Sequence, residues 1–225
     1  MPSTTRLQPR AMRSEFESAN AALVGRAEAM LERYLALGAP HARLLNTLSM
    51  LEHIGSRKIM ATQSGTGLDQ ATLKHLAEET RHAYFFKRHA ERVARHSLDY
   101  SAEVLAAPAA ARMYFQRLDA SAAKALGRAA NRRAAYLYVS MVVEFRAVWL
   151  YRIYHAVLER SRSPLSLRGV LAEEEGHLEE MAGALVTIGA SDAALVGRLC
   201  QAEQKLFERL LIALERSVEE FALAA

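Results

Sequence analysis

The sequence predicts an all-α fold, and three observations carry that expectation. Alanine supplies 42 of the 225 residues, and strong helix formers dominate the remainder. Glycine (11) and proline (5) are few and sit between segments of helical periodicity. No segment of strand length alternates apolar and polar residues. The elements follow in order. A first helix is expected over Ala11 to Leu37, ended by Gly38 and Pro40. A second spans about His41 to Ala61 and is closed by the GTG of 65–67. Asp69 is a good N-cap for a third, which runs to about His96. A looser stretch through Ala106–Pro108 precedes a helix over Ala109 to Leu126. A long helix covers about Ala130 to Ser161. Pro164 opens the next at its N-terminus, and Gly189 stops it after Ile188. The last, amphipathic helix runs from Asp192 to about Leu223. This reads as a single domain over 1–225, with a four-helix core at about 41–188 and accessory helices around it.

Composition narrows the function. The apolar fraction is 51% and the charged fraction 24%, as expected for a globular chain. A single cysteine, Cys200, excludes a disulfide framework, a four-cysteine zinc site and an internal rubredoxin-type iron centre. No apolar run reaches 18 residues, so no membrane span is expected, and the polar N-terminus lacks a signal-peptide core. A cytoplasmic location is the default expectation. The net charge is +4, and 24 of the 29 basic residues are arginine. They are scattered rather than gathered in a tract, which favours a solvated surface over a nucleic-acid face.

Two segments share a pattern. HLAEETRHAYFF contains Glu79-x-x-His82, and VLAEEEGHLEEM contains Glu174-x-x-His177. Three residues apart, carboxylate and imidazole lie on one helical face. By composition about 0.7 such matches are expected by chance, so the motif alone says little. Its setting says more. These are the only two matches, and each follows a helix that carries one carboxylate in an apolar stripe: Glu52 before the first, Glu144 before the second. The gaps are similar, 27 residues from Glu52 to Glu79 and 30 from Glu144 to Glu174. At helical spacing Glu144 has Leu137, Met141 and Val148 for neighbours, and Glu174 has Val170, Leu178 and Met181. Carboxylates are rarely buried without a partner. Four in one core would repel and could not all stay ionised. Two divalent cations balance four carboxylates, with the histidines neutral.

Glu52, Glu79-x-x-His82, Glu144 and Glu174-x-x-His177 resemble the six ligands of ferritin-like di-iron carboxylate proteins. The resemblance implies a ferritin-like four-helix bundle with additional N-terminal, crossover and C-terminal helices. The long connection from His96 to Ala130 suits it. It also implies that all six residues are metal ligands and catalytic, with Glu79 and Glu174 bridging and Glu52 and Glu144 each binding mainly one metal. Oxygen and imidazole donors without thiolate suit two Fe ions, with Mn the alternative. The implied chemistry is activation of dioxygen and oxidation of a small organic or acyl substrate, in a non-haem di-iron oxidase or monooxygenase. Glu78-Glu79-Thr80-Arg81-His82 is also similar to a stretch of bacterial multicomponent monooxygenases, although Glu173 to His177 lacks the arginine. Aldehyde-deformylating oxygenases of cyanobacteria and quinone hydroxylases have this length. An external reductase is implied, because the chain has no flavin or cysteine-iron motif.

Other residues are weighed beside these. Glu78, Glu173 and Arg81 either orient the imidazoles or are surface charges. His75 and His155 either line a substrate channel or are hydrogen-bonded core histidines, the latter being the commoner case. His53 points about 100° away from Glu52. Tyr84, Tyr136, Tyr138, Tyr151 and Tyr154 read mainly as packing with a tethered hydroxyl. Cys200 reads as a small buried apolar residue. Leu199, Leu206, Leu210, Leu214 and Val218 form a stripe that either clads the core or makes a homodimer interface. Two further functions compete: iron storage or peroxide detoxification, as in ferritins and rubrerythrins, and tRNA hydroxylation on the same fold.

Overall fold

Two helical hairpins form the centre of the molecule. The computed structural model describes residues 7–63, 68–127 and 131–223, and among them there are eight α-helices and no strand. They are α1 (Pro9–Ala19), α2 (Val24–Ala36), α3 (Gly38–Thr62), α4 (Gln70–Ala94), α5 (Pro108–Leu126), α6 (Arg132–Arg160), α7 (Arg168–Thr187) and α8 (Ala193–Leu223). α3 packs along α4, and α6 packs along α7. The hairpins meet where α4 faces α7 and α3 faces α6. α8 lies mainly on α5 and also touches α2 and α6. One continuous apolar core draws residues from every helix. No described helix is long and apolar enough to cross a membrane.

Side-chain caps explain three helix starts. The Asp69 carboxylate accepts from the Thr72 amide at 2.9 Å and caps α4 as expected. Asp192 caps α8 in the same way, through the Leu195 amide at 2.9 Å. Asn131 caps α6 through the Arg133 amide at 2.8 Å. The expected start at Ala130 and the GTG closure of 65–67 lie outside the described residues.

Three expected boundaries are corrected. The helix expected over Ala11 to Leu37 is broken into α1 and α2, separated by a short 3₁₀ turn at Ala21–Leu23. The break falls at buried Asn20, whose side-chain amide donates to the Phe16 carbonyl at 2.8 Å and whose oxygen accepts from Arg146 at 2.7 Å. α3 starts at Gly38 rather than His41, after a single extended residue, Leu37. Pro40 sits within its first turn, where an amide hydrogen has no helical partner to lose. Pro164 does not open α7. Arg162 turns left-handed (φ 53°), and the chain runs irregularly over 161–167 before α7 begins at Arg168. Leu165 and Leu167 are buried within that stretch, so apolar burial takes precedence over helix initiation there.

Candidate metal centre

The hairpins bring the carboxylates and imidazoles to one buried place. Glu52 comes from α3, Glu79 and His82 from α4, Glu144 from α6, and Glu174 and His177 from α7. All six residues singled out in the sequence are buried. A seventh, His75, joins them from α4, one turn before Glu79. On α4, Thr72, His75, Glu79, His82, Phe86 and Ala90 follow a spacing of three or four residues, which makes one stripe facing the partner hairpin.

The donor atoms fall into two overlapping groups. His75, Glu79, Glu144 and His177 form one, and Glu52, Glu79, His82 and Glu174 form the other, with the atoms of each within 4.8 Å of one another. Glu79 belongs to both. Its Oε1 lies 3.4 Å from His75 Nε2 and 3.7 Å from the Nδ1 atoms of both His82 and His177. Glu174 also spans the centre, with Oε1 3.2 Å from His82 Nδ1 and Oε2 3.1 Å from His177 Nδ1.

The outer face of each imidazole is held. His82 Nε2 pairs with Glu173 at 2.8 Å, and His177 Nε2 pairs with Glu78 at 2.9 Å. The arrangement is reciprocal: the acidic residue before each central glutamate reaches across to the histidine of the other helix. Arg81 braces it, with Nη2 2.6 Å from Glu173 and 3.7 Å from Glu78. The role weighed for Glu78, Glu173 and Arg81 is therefore one of direct contact around the imidazoles. His75 is held by the Tyr136 hydroxyl at its Nδ1, 2.6 Å away, so that Nε2 faces Glu144 at 3.2 Å. On the far side, the Tyr151 hydroxyl donates to Glu52.

No protein-family model matches the chain, and neither a curated protein nor a solved structure matches it.

The chemistry of the cluster is one of too little positive charge. Burial raises Glu52 well above the usual carboxylate range, and repulsion from Glu79 and Glu174 adds to it. Burial and Glu144 likewise raise Glu174. Burial would raise Glu144 too, but hydrogen bonds from Glu174, His177 and His75 hold it down at about 2. Burial would lower the imidazoles, yet the carboxylates outweigh it. Glu144 and Glu79 lift His75 to about 9, Glu174 lifts His82 to about 10, and Glu144 and Glu174 lift His177 to about 12. Acids forced into one site split in this way, some protonated and some ionised. Three inward atoms, Glu79 Oε1, Glu174 Oε1 and His82 Nδ1, are buried with no hydrogen-bond partner. Such orphans cost free energy unless something binds them. Oxygen and imidazole donors gathered in two overlapping groups, and held from behind, could hold metal ions.

His53 stacks on Tyr100 (5.8 Å between rings), and His155 faces Glu159 at 3.3 Å, so neither joins the centre. Tyr138 donates to the Ala190 carbonyl, Tyr154 pairs with His41 at 2.5 Å, and Tyr84 is 63% exposed. Cys200 is half-buried rather than buried. It faces a cleft between α1 and α8, because that side of α8 is not fully covered. Leu199, Leu210, Leu214 and Val218 are buried as cladding, with Leu206 half-buried beside them. Sequence reasoning underrated His75. The signal was present in its i, i+4 spacing from Glu79, but only the meeting of the two hairpins brings Tyr136 and Glu144 of α6 onto that face.

Proposed function

We propose that this chain is a ferritin-like di-metal carboxylate protein that binds two iron ions and uses dioxygen to oxidise an organic substrate. The observation that carries the reading is the pair of overlapping buried donor groups sharing Glu79, with orphaned atoms inside and carboxylate-held imidazoles outside. Glu52, Glu79, His82, Glu144, Glu174 and His177 would hold the metals, with His75 as a seventh ligand beside Glu144. Two such ions would supply the redox equivalents for reducing dioxygen, replenished by an external reductase. Glu78, Glu173 and the Tyr136 hydroxyl would fix the ring orientation of the three histidines. The apolar shell around the cluster, including Phe86, Met141 and Val148, would limit the access of water. An apolar cavity reaching Glu79 and Glu144 favours an organic substrate over an ion store.

Elemental analysis of protein from iron-supplemented cells tests this directly. About two transition-metal ions per chain are expected, with a sharp fall in Glu79→Ala, the one residue common to both groups. A folded chain that takes up no transition metal under those conditions overturns the proposal.

A further inference from the structure

One cavity joins the cluster to the surface, and its chemistry changes along its length. It measures about 470 Å³, a size that suits a small organic ligand. Its floor is His75, Glu79 and Glu144, all buried. Gly55 forms part of that floor, and a Cβ there would lie 3.3 Å from a Glu79 oxygen, so the absence of a side chain leaves the carboxylate reachable. The middle is apolar, walled by Ile59, Phe115, Val139 and Val143. Exposed Arg132 stands at the other end, while half-buried Lys58 and Asp119 lie beside the wall residues Ile59 and Phe115. Lys58 is shared between Asp119 and the face of the Phe115 ring, 5.6 Å from its centroid. From Glu144 to Arg132 the cavity follows twelve residues of α6, about 18 Å at the helical rise.

The two ends differ in character. The floor belongs to the cluster of carboxylates and imidazoles. Among the described residues the outer end carries the cation Arg132, and it lies at the N-terminus of a 29-residue helix with no acidic residue in its first turn. An anionic head group finds its cation at the mouth, while an apolar body matches the wall between the ends.

We propose that this cavity takes an amphipathic organic carboxylate, its head at Arg132, its apolar body along Ile59, Phe115 and Val139, and its far end against Glu79 and Glu144. The orientation rests on the proposed function, since it makes the end remote from the carboxylate the part presented to the metals. The binding class rests on the cavity alone.

Calorimetric titration of the full chain with octanoate, octanol and octylamine tests the proposal, with metal content measured on the same preparations. Octanoate should bind about tenfold more tightly than octanol or octylamine, the gain expected of one charge-assisted contact. Arg132→Gln, at an exposed position that leaves the fold intact, should bring octanoate down to the level of octanol. Val139→Trp should fill the cavity and abolish binding of both. Failure of octanoate to bind, equal affinity for octanol or octylamine, or an unchanged octanoate affinity in Arg132→Gln overturns the proposal. These readouts are independent of the metal reading. Carboxylate preference in protein that takes up no metal upholds the binding class and removes only the proposed function. Metal uptake without carboxylate preference does the reverse.

Discussion

Glu78 and Glu173 never face the centre of the cluster, yet they set which atoms of His177 and His82 do. By accepting from Nε2 on each ring, they turn Nδ1 inward. The Tyr136 hydroxyl does the opposite for His75, taking Nδ1 and leaving Nε2 inward. Partners of this kind typically change metal affinity by about 10–100-fold. Glu78→Gln and Tyr136→Phe are therefore expected to weaken metal binding by about that factor with helical content unchanged. Competition against a chromophoric chelator measures it. Tyr136→Phe should affect binding at one of the two donor groups, since His75 belongs to one group only. Chelator curves that overlay those of the parent would count against these contacts.

Among the elements, α3 carries a titratable contact far from the cluster chemistry. His41, in its first turns, is buried against the Tyr154 hydroxyl of α6, 2.5 Å away. Burial, aided by repulsion from His89, holds its imidazole down at about 4, below the ordinary 6.5. The unfolded chain takes up this proton as pH falls through about 6.5, and the folded chain does so only near 4. In that window the unfolded state binds more protons, so the His41 contribution to stability is lost as pH drops from about 6.5 to about 4. Urea midpoints at pH 7 and pH 4.5 should differ less in His41→Asn than in the parent chain. An equal difference would show that this ring does not titrate between the two states. The α1–α2 break belongs to the same scale. Helical periodicity runs through it, and Asn20 is ordinary in sequence. Its side chain donates to the Phe16 carbonyl at the end of α1, and the contact with Arg146 holds it there.

At the scale of the whole molecule, a buried ion pair joins the cladding to the centre. Arg146 makes two hydrogen bonds to Glu203 of α8, both 2.8 Å, and one to Asn20. Tyr114 of α5 donates to the same Glu203 at 2.7 Å. The guanidinium sits over the rings of Phe16, Trp149 and Phe207, 3.9 Å from the last. Two residues along a helix turn through about 200°, so Glu144 faces the cluster while Arg146 faces α8. The network thereby ties the rotation of α6 to α1, α5 and α8. Arg146→Met leaves Glu203 buried without its partner and is expected to cost about 3–5 kcal/mol in urea unfolding. The double change Arg146→Met, Glu203→Leu should recover much of that loss, because two apolar side chains need no partner. If the double variant is no more stable than the single, the loss comes from packing rather than from the stranded charge.

Helical class, most element centres and six residues of the cluster were legible in the sequence, because 3.6-residue periodicity and a carboxylate in an apolar stripe are local signals. Asp69 and Asp192 announced the starts of α4 and α8 for the same reason. The tertiary structure alone decided what depends on distant partners. It placed His75 in the cluster, ended α1 at Asn20, turned Glu78 and Glu173 toward each other's histidine, and buried Arg146 against Glu203. Each of these is a polar group whose role is set by which side chain lies across the helix interface. Spacing along the chain shows which face a residue occupies, but only packing shows what that face meets.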